Sequence, residues 1–198
     1  MSAEQESPVP AELLSDVLWR REGATSLEHF RLSKIAKMYA LNGVVLSWAG
    51  AGASPRQIHY AVACDLSWNT RTVHVTVIEG DAHRRLELER DESGAWRRGE
   101  EALTGFDGVV DIDLQITPAT NTVAIRRLKL GIGAAAEAEA LWVRFPDLEL
   151  ERLPQRYTRT AEHRYRYESS GGAFTADLDV DHAGVVVRYG DIWQRVSA

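Results

Sequence analysis

A chain of 198 residues, 44% hydrophobic and 26% charged, can bury a sizeable core and has the composition of an ordinary globular protein. Its formal charge of -6 argues against a nucleic-acid or anionic-membrane surface, since such partners need a basic field. The single cysteine, Cys64, allows no intrachain disulfide and no four-cysteine zinc site, and its place in a strand pattern marks it as a core residue.

Residues 1–12 read as a flexible leader ahead of one β domain over 13–198. The leader is acidic and has no signal-peptide pattern, which places the protein in the cytoplasm. No run approaches the ~20 apolar residues of a membrane span, so stable membrane insertion is not expected. A short helical turn fits Ala11 to Leu18, and extended segments follow. Ser26 to Ser33 alternates loosely, Ala40 to Trp48 is apolar, and Gln57 to Asp65 puts Ile58, Tyr60, Val62 and Cys64 on one side. Thr70 to Ile78 and Arg84 to Arg90 read as one-sided strands, through Val73, Val75 and Val77 and through Leu86 and Leu88. Asp91-Glu92-Ser93-Gly94 is a hairpin turn into Ala95-Trp96.

From Gly108 to Gly131 the chain reads as two strands about one turn. Val110, Ile112, Leu114 and Ile116 alternate with Asp111, Asp113, Gln115 and Thr117. Thr117 to Asn121 then breaks the pattern, and a return strand runs from Thr122 to Leu130. Arg126 and Arg127 are adjacent, so one of them must point to the apolar side and needs a carboxylate, an aromatic face or a bound ligand. A symmetric loop sets Asp113 opposite Arg126, and a slip of one residue sets it opposite Arg127. A structural ion pair and a ligand-facing role both fit.

Ala134 to Ala140 is the one helix-friendly run, about two turns long, and reads as a cap or bridge. Later strands run from Leu141 to Phe145, Glu162 to Glu168, Phe174 to Asp181 and Val185 to Tyr189, at the spacing of an antiparallel meander. The expected fold is therefore mainly all-β: a single large, strongly bent antiparallel sheet forming a half-barrel. With so little helix, such a sheet must cover its apolar face by curling or by holding a ligand, and both routes make a cavity.

Catalytic patterns are sparse. Asp111 and Asp113 share one strand face roughly 6 to 7 Å apart and could form an acid/base pair for hydrolysis of a sugar- or acyl-containing substrate. Side-by-side acids on one strand more often face bases or solvent. The six histidines show no H-E-x-x-H spacing; Glu28-His29 could hold a proton or ligand, but a polar start to a strand is the preferred reading. Gly131-Ile132-Gly133-Ala134-Ala135-Ala136 mimics a dinucleotide loop but lacks the full helix and parallel strand that such a site needs. No metal and no cofactor is expected. Of the six tryptophans, most read as core, whereas Trp68 sits at a turn before Asn69-Thr70-Arg71 and reads as ligand-facing.

The run DIDLQITPATNTVAIRRLKLG, with WRREGATSLEHFRL, SWNTR, GAWRRG and DVDHAGVVVRYGDIWQR, resembles the bacterial glycolipid-binding family over nearly the whole chain. The resemblance implies a bent sheet similar to the half-barrels of bacterial lipoprotein carriers. This chain departs from the family in having Ala119 and Ala124 where bulkier residues are common, which would widen a pocket beside them. The implied function is a cytoplasmic binding protein holding an amphipathic small molecule, a glycolipid or other acyl compound, on the concave face. Trp68, Arg71, Asp113, Asn121, Arg126 and Arg127 are the candidate ligand residues. The alternatives are the hydrolase just described and a protein-interaction module.

Overall fold

A computed structural model of the chain describes residues 11–197. Residues 1–10 of the expected leader lie outside the described residues, and Ala11 and Glu12 already belong to the first strand. Strand accounts for 61% and helix for 6%, the all-β class that the alternating patterns predict.

An antiparallel meander opens the fold: β1 (Ala11–Arg21), β2 (Thr25–Ile35), β3 (Met38–Trp48), β4 (Arg56–Asp65), β5 (Thr70–Glu79), β6 (Ala82–Arg90), β7 (Trp96–Arg98) and β8 (Glu101–Ala102). After β9 (Asp111–Leu114) and the helix α1 (Asn121–Leu128), a second meander follows through β10 (Ala135–Arg144), β11 (Glu149–Ala161), β12 (Arg164–Ser169), β13 (Phe174–Val180), β14 (Val186–Tyr189) and β15 (Trp193–Arg195). β1 pairs with β15 in the register Trp19 to Arg195, which fuses the two meanders into one 15-stranded sheet ending at β8 and β9. The sheet is strongly bent and does not close into a barrel. Register shifts in the pairs β1/β2, β4/β5, β11/β12 and β13/β14 supply local bends, as bulges do.

Period-two burial explains most of these strands. In β2, Ser26, Glu28, Phe30 and Leu32 are buried while Thr25, Leu27, His29 and Arg31 are exposed. The expected turn of helix over Ala11 to Leu18 is instead part of β1, because its backbone is taken up by β2 from Ala11 opposite Ile35 onward.

Two expectations fail around β9. The return strand from Thr122 to Leu130 is the helix α1, and the alanine-rich run is the strand β10. β9 lies parallel to β10, with Asp111 opposite Ala140, and a parallel pair needs a crossover rather than a hairpin. Consecutive turn bonds, from Asn121 N–H to Pro118 O (3.2 Å), Thr122 N–H to Ala119 O (3.1 Å) and Val123 N–H to Thr120 O (3.1 Å), wind the chain into that crossover helix. Arg126 and Arg127 fall in its last turn, where cations favour the negative end of the helix dipole. The alanines of β10 are set by their neighbours: Ala136, Ala138 and Ala140 sit opposite Tyr157, Gln155 and Leu153, while Glu137 pairs with Arg156 at 2.9 Å. Cross-strand partners here outweigh the helix propensity of alanine.

The bent sheet wraps the segment before and within α1. Thr117 through Ile125 are buried without a break, and their side chains reach β2, β4 and β11. Tyr60 lies flat over Gly43 of the neighbouring strand, so a Cβ at residue 43 would fall inside the Tyr60 ring. Gly43→Ala is therefore expected to lower stability by ~1 to 3 kcal/mol through overpacking, read from denaturant melts. Gly131→Ala, whose added Cβ meets nothing within 4 Å, should stay within about 0.5 kcal/mol of wild type.

Candidate functional site

A hydrogen-bonded network runs through the enclosed interior. Glu28, on the buried face of β2, accepts hydrogen bonds from Tyr60 Oη and from Thr117 Oγ1 (2.6 Å) on the same oxygen, Oε1. Its Oε2 has no hydrogen-bond partner among the described residues. Burial pushes the Glu28 carboxyl up to about 8, and the bonds from Thr117 and Tyr60 only partly oppose that rise. The expectation that Glu28 is a polar start to a strand is thus corrected, since it is a fully buried acid in the middle of β2. Its phase with Ser26, Phe30 and Leu32 is the signal that marks it as inward.

Next to this network lies a cavity of about 320 Å³. Trp142, Tyr167, Phe174, Tyr189 and Trp193 form much of its wall, and Asp113, Gln115, Thr117 and Asn121 present polar atoms to it. The rings brace one another edge to face: Tyr167 lies 6.0 Å from Phe174 and 6.0 Å from Tyr189, and Phe174 lies 6.2 Å from Tyr189. Polar groups behind the wall are fixed in turn. Gln155 Nε2 donates to Asp113 Oδ2 (2.7 Å) and to Tyr167 Oη (3.0 Å), while Tyr157 Oη donates to Asn121 Oδ1 (2.9 Å). Desolvation raises Asp113 to about 6, and the bond from Gln155 acts against it. Arg21 reaches the rim, its guanidinium 5.9 Å from the Trp193 ring centre. The site thus combines aromatic faces, a carboxylate and primary amides.

The structure separates the six candidate ligand residues. Asp113 and Asn121 line this cavity. Trp68 and Arg126 instead line a second one, near the other end of α1. Arg71 is tied to Asp65 Oδ2 (2.8 and 3.1 Å) and to Asp91 O (3.2 Å), so it fastens two turns together. Arg127 grips buried Asp111 with two bonds of 2.7 and 2.6 Å. The proposed facing of Asp113 with either arginine is therefore corrected, because a helix replaces the return strand and the arginine meets Asp111. Both Asp111 oxygens are thus engaged by Arg127, while Asp113 bonds to Gln155. Cys64 is buried as expected, and burial raises its thiol to about 12. Trp142 and Trp193 are among the tryptophans read as core, and Tyr167 and Tyr189 carry no site signal in the sequence, because no local pattern tells which aromatics border a void.

Among the described residues no cluster of three or more His, Cys, Asp or Glu is arranged to hold a metal ion. None of the described helices is long and apolar enough to cross a membrane. The sequence profile of a family described as "Putative glycolipid-binding" matches residues 16–195. Among solved structures, a DUF1089 family protein from Pseudomonas aeruginosa, determined by crystallography at 1.80 Å, is similar with a TM-score of 0.78 and 35% sequence identity. The similarity covers 89% of this chain and 95% of that one. No curated protein matches the chain.

Two measurements check the electrostatics. Arg127→Ala strands a buried carboxylate and should cost ~3 to 5 kcal/mol in denaturant melts, whereas Arg126→Ala, which has no carboxylate partner, should cost ~0 to 1. For Glu28 the folded-state value lies above the ordinary 4.5, so the unfolded chain loses this proton first. The stability that protonated Glu28 contributes is full below about 4.5 and declines as pH rises toward about 8. Glu28→Gln should flatten stability against pH across that window, and an unchanged slope would mean that Glu28 is ionised in the folded protein.

Proposed function

The chain belongs to the glycolipid-binding family, and we propose that it binds an amphipathic ligand, a glycolipid or related acyl compound, with the sugar head group in the aromatic cavity. One observation carries this reading: Asp113 opens between Trp142, Tyr167, Tyr189 and Trp193 in a cavity large enough for a ring-sized group. Sugar rings present apolar faces that stack on aromatic rings and hydroxyls that donate to carboxylates. The cavity's 320 Å³ sits at the low end of the ~300 to 1,000 Å³ common for small-molecule sites, which suits a head group better than a whole lipid. In this reading the acyl chain leaves past Leu153, Phe174 and Ile192 on the same wall. The wall is braced by ring contacts and by Gln155, so little reorganisation opposes binding.

Sequestration or delivery follows more readily than turnover. Glycoside hydrolysis by the Asp111/Asp113 pair would need both carboxyls at the substrate, and Asp111 is bonded to Arg127.

Octyl glucoside is a suitable probe, followed by tryptophan fluorescence below its micellar concentration. Saturable binding to one site is expected, weakened about 3- to 10-fold by Trp142→Ala, the size of a lost aromatic contact. Binding should weaken as pH falls through about 6, since protonation removes an acceptor from Asp113, and Asp113→Asn should flatten that dependence. A folded sample that binds no member of a panel of alkyl glycosides and acyl compounds would overturn the proposal.

A further inference from the structure

The second cavity, about 490 Å³, lies where α1 ends, between Trp68 on the β4–β5 turn and the turns that follow β11 and β13. Its charge runs against that of the chain. In a protein of formal charge -6, this cavity collects Arg126, Lys129 and Arg159, with His163 and His182 at its edge. The two acids beside them offset little. Asp181 is already held by Arg195 (2.8 Å) and accepts the backbone N–H groups of Ala183 and Val185 (2.9 Å each). The Glu162 side chain is 77% exposed and lies 3.8 Å from His163.

The two arginines are placed rather than free-swinging. Arg126 has no carboxylate partner among the described residues; its guanidinium rests 5.5 Å from the Trp68 ring centre. Its stem passes so close to Gly184 that a Cβ there would meet Arg126 Cδ at 3.0 Å, and Gly184 also has φ +78°. Trp68 is a non-glycine residue at φ 66°, a conformation that persists only where its surroundings impose it. The Trp68 ring is stacked on Tyr39 with centroids 4.1 Å apart. Arg159 is fixed by donating to the carbonyls of Leu130 (2.9 Å), Glu162 (2.6 Å) and Ala161 (3.3 Å), which holds its guanidinium without neutralising it and leaves one N–H on each terminal nitrogen free among the described residues.

Like charges gathered in a cleft repel one another, and a bound anion relieves that repulsion while gaining charge-assisted hydrogen bonds. We propose that this cavity is a separate binding site for an oxyanion, phosphate, sulfate or carboxylate, held by Arg126, Lys129 and Arg159. Exposed Leu66 and partly buried Leu130 on the same wall give an attached apolar group a place to lie. The shared chemistry is the oxyanion, whether it arrives free or as a lipid head group.

Calorimetric titration of the full chain tests this with three probes: inorganic phosphate, octyl phosphate below its micellar concentration, and neutral octyl glucoside. Octyl phosphate should bind saturably and weaken with rising salt. Arg126→Gln and, separately, Lys129→Glu should each lower its affinity about ten-fold or more while leaving octyl glucoside binding unchanged. Saturation by inorganic phosphate, lost in the same variants, assigns the site to a free anion, and binding of octyl phosphate alone assigns it to a lipid anion. Both support the proposal. Failure of both phosphate probes to bind overturns it, as does octyl phosphate binding that both variants leave intact. Lys129 is exposed, so its variant keeps the test valid should the Arg126 variant fold poorly. Failure with octyl glucoside alone would count against the aromatic cavity and not against this site.

Discussion

A sheet bent this far has a concave face that neither its own strands nor solvent can fill, and the uninterrupted burial of Thr117 through Ile125 is the answer this chain gives. Filling a β interior with a turn and a short helix brings backbone and side-chain polar groups into a place without water, where each needs a partner. The partners come from both halves of the sheet: Glu28 and Tyr60 from the first meander, Tyr157 from the second. The plug therefore joins the two meanders as surely as the β1–β15 pairing does. Glycine at residue 43 follows from the same constraint, since Tyr60 reaches the network only by lying across it.

The plug also explains why the aromatic and the cationic cavity are separate. A crossover helix of eight residues is only about 12 Å long and does not fill a concave face from end to end. Asn121 at its start borders the aromatic cavity, and Ile125, Arg126 and Lys129 at its end border the cationic one. Each cavity takes its character from the strand ends around it. One receives tyrosines from β12 and β14 beside a carboxylate, and the other receives arginines and histidines from α1, β11 and the turns.

Most of the strands were legible in the sequence because a half-buried antiparallel strand writes its geometry as period-two alternation, as in β4, β5 and β6. Around β9 that code fails for a physical reason. Asp111, Ile112 and Leu114 are all buried, so both faces are covered and alternation says nothing about which face meets the core. A short apolar run such as Val123 to Ile125 does not distinguish helix from strand by period alone, and only the parallel pairing of β9 with β10 decides it. The alanine-rich run misleads in the opposite sense: its residues are small because Tyr157 and Gln155 face them across the ladder, a fact carried by sequence far downstream. The aromatic cavity was illegible for a similar reason. It is assembled from β9, β10, β12 and β14, and no local pattern encodes which inward aromatics border a void.

The adjacent arginines show how a correct physical argument can survive the wrong secondary structure. On a strand, neighbours part by 180°; on a helix they part by about 100°, which still denies them a common partner. Arg127 turns to Asp111 and Arg126 to Trp68. The division has a structural logic. Pairing Arg127 with a buried acid at 2.6 Å anchors the last turn of α1 to β9, and that anchoring fixes the direction in which the next residue up the helix must project. Asp113, two residues along the same strand face, lies beyond reach of either arginine and has only the neutral amide of Gln155. Burial raises the Asp113 carboxyl and the single bond from Gln155 opposes that rise only in part, so the acid that opens onto the aromatic cavity changes its protonation at about 6.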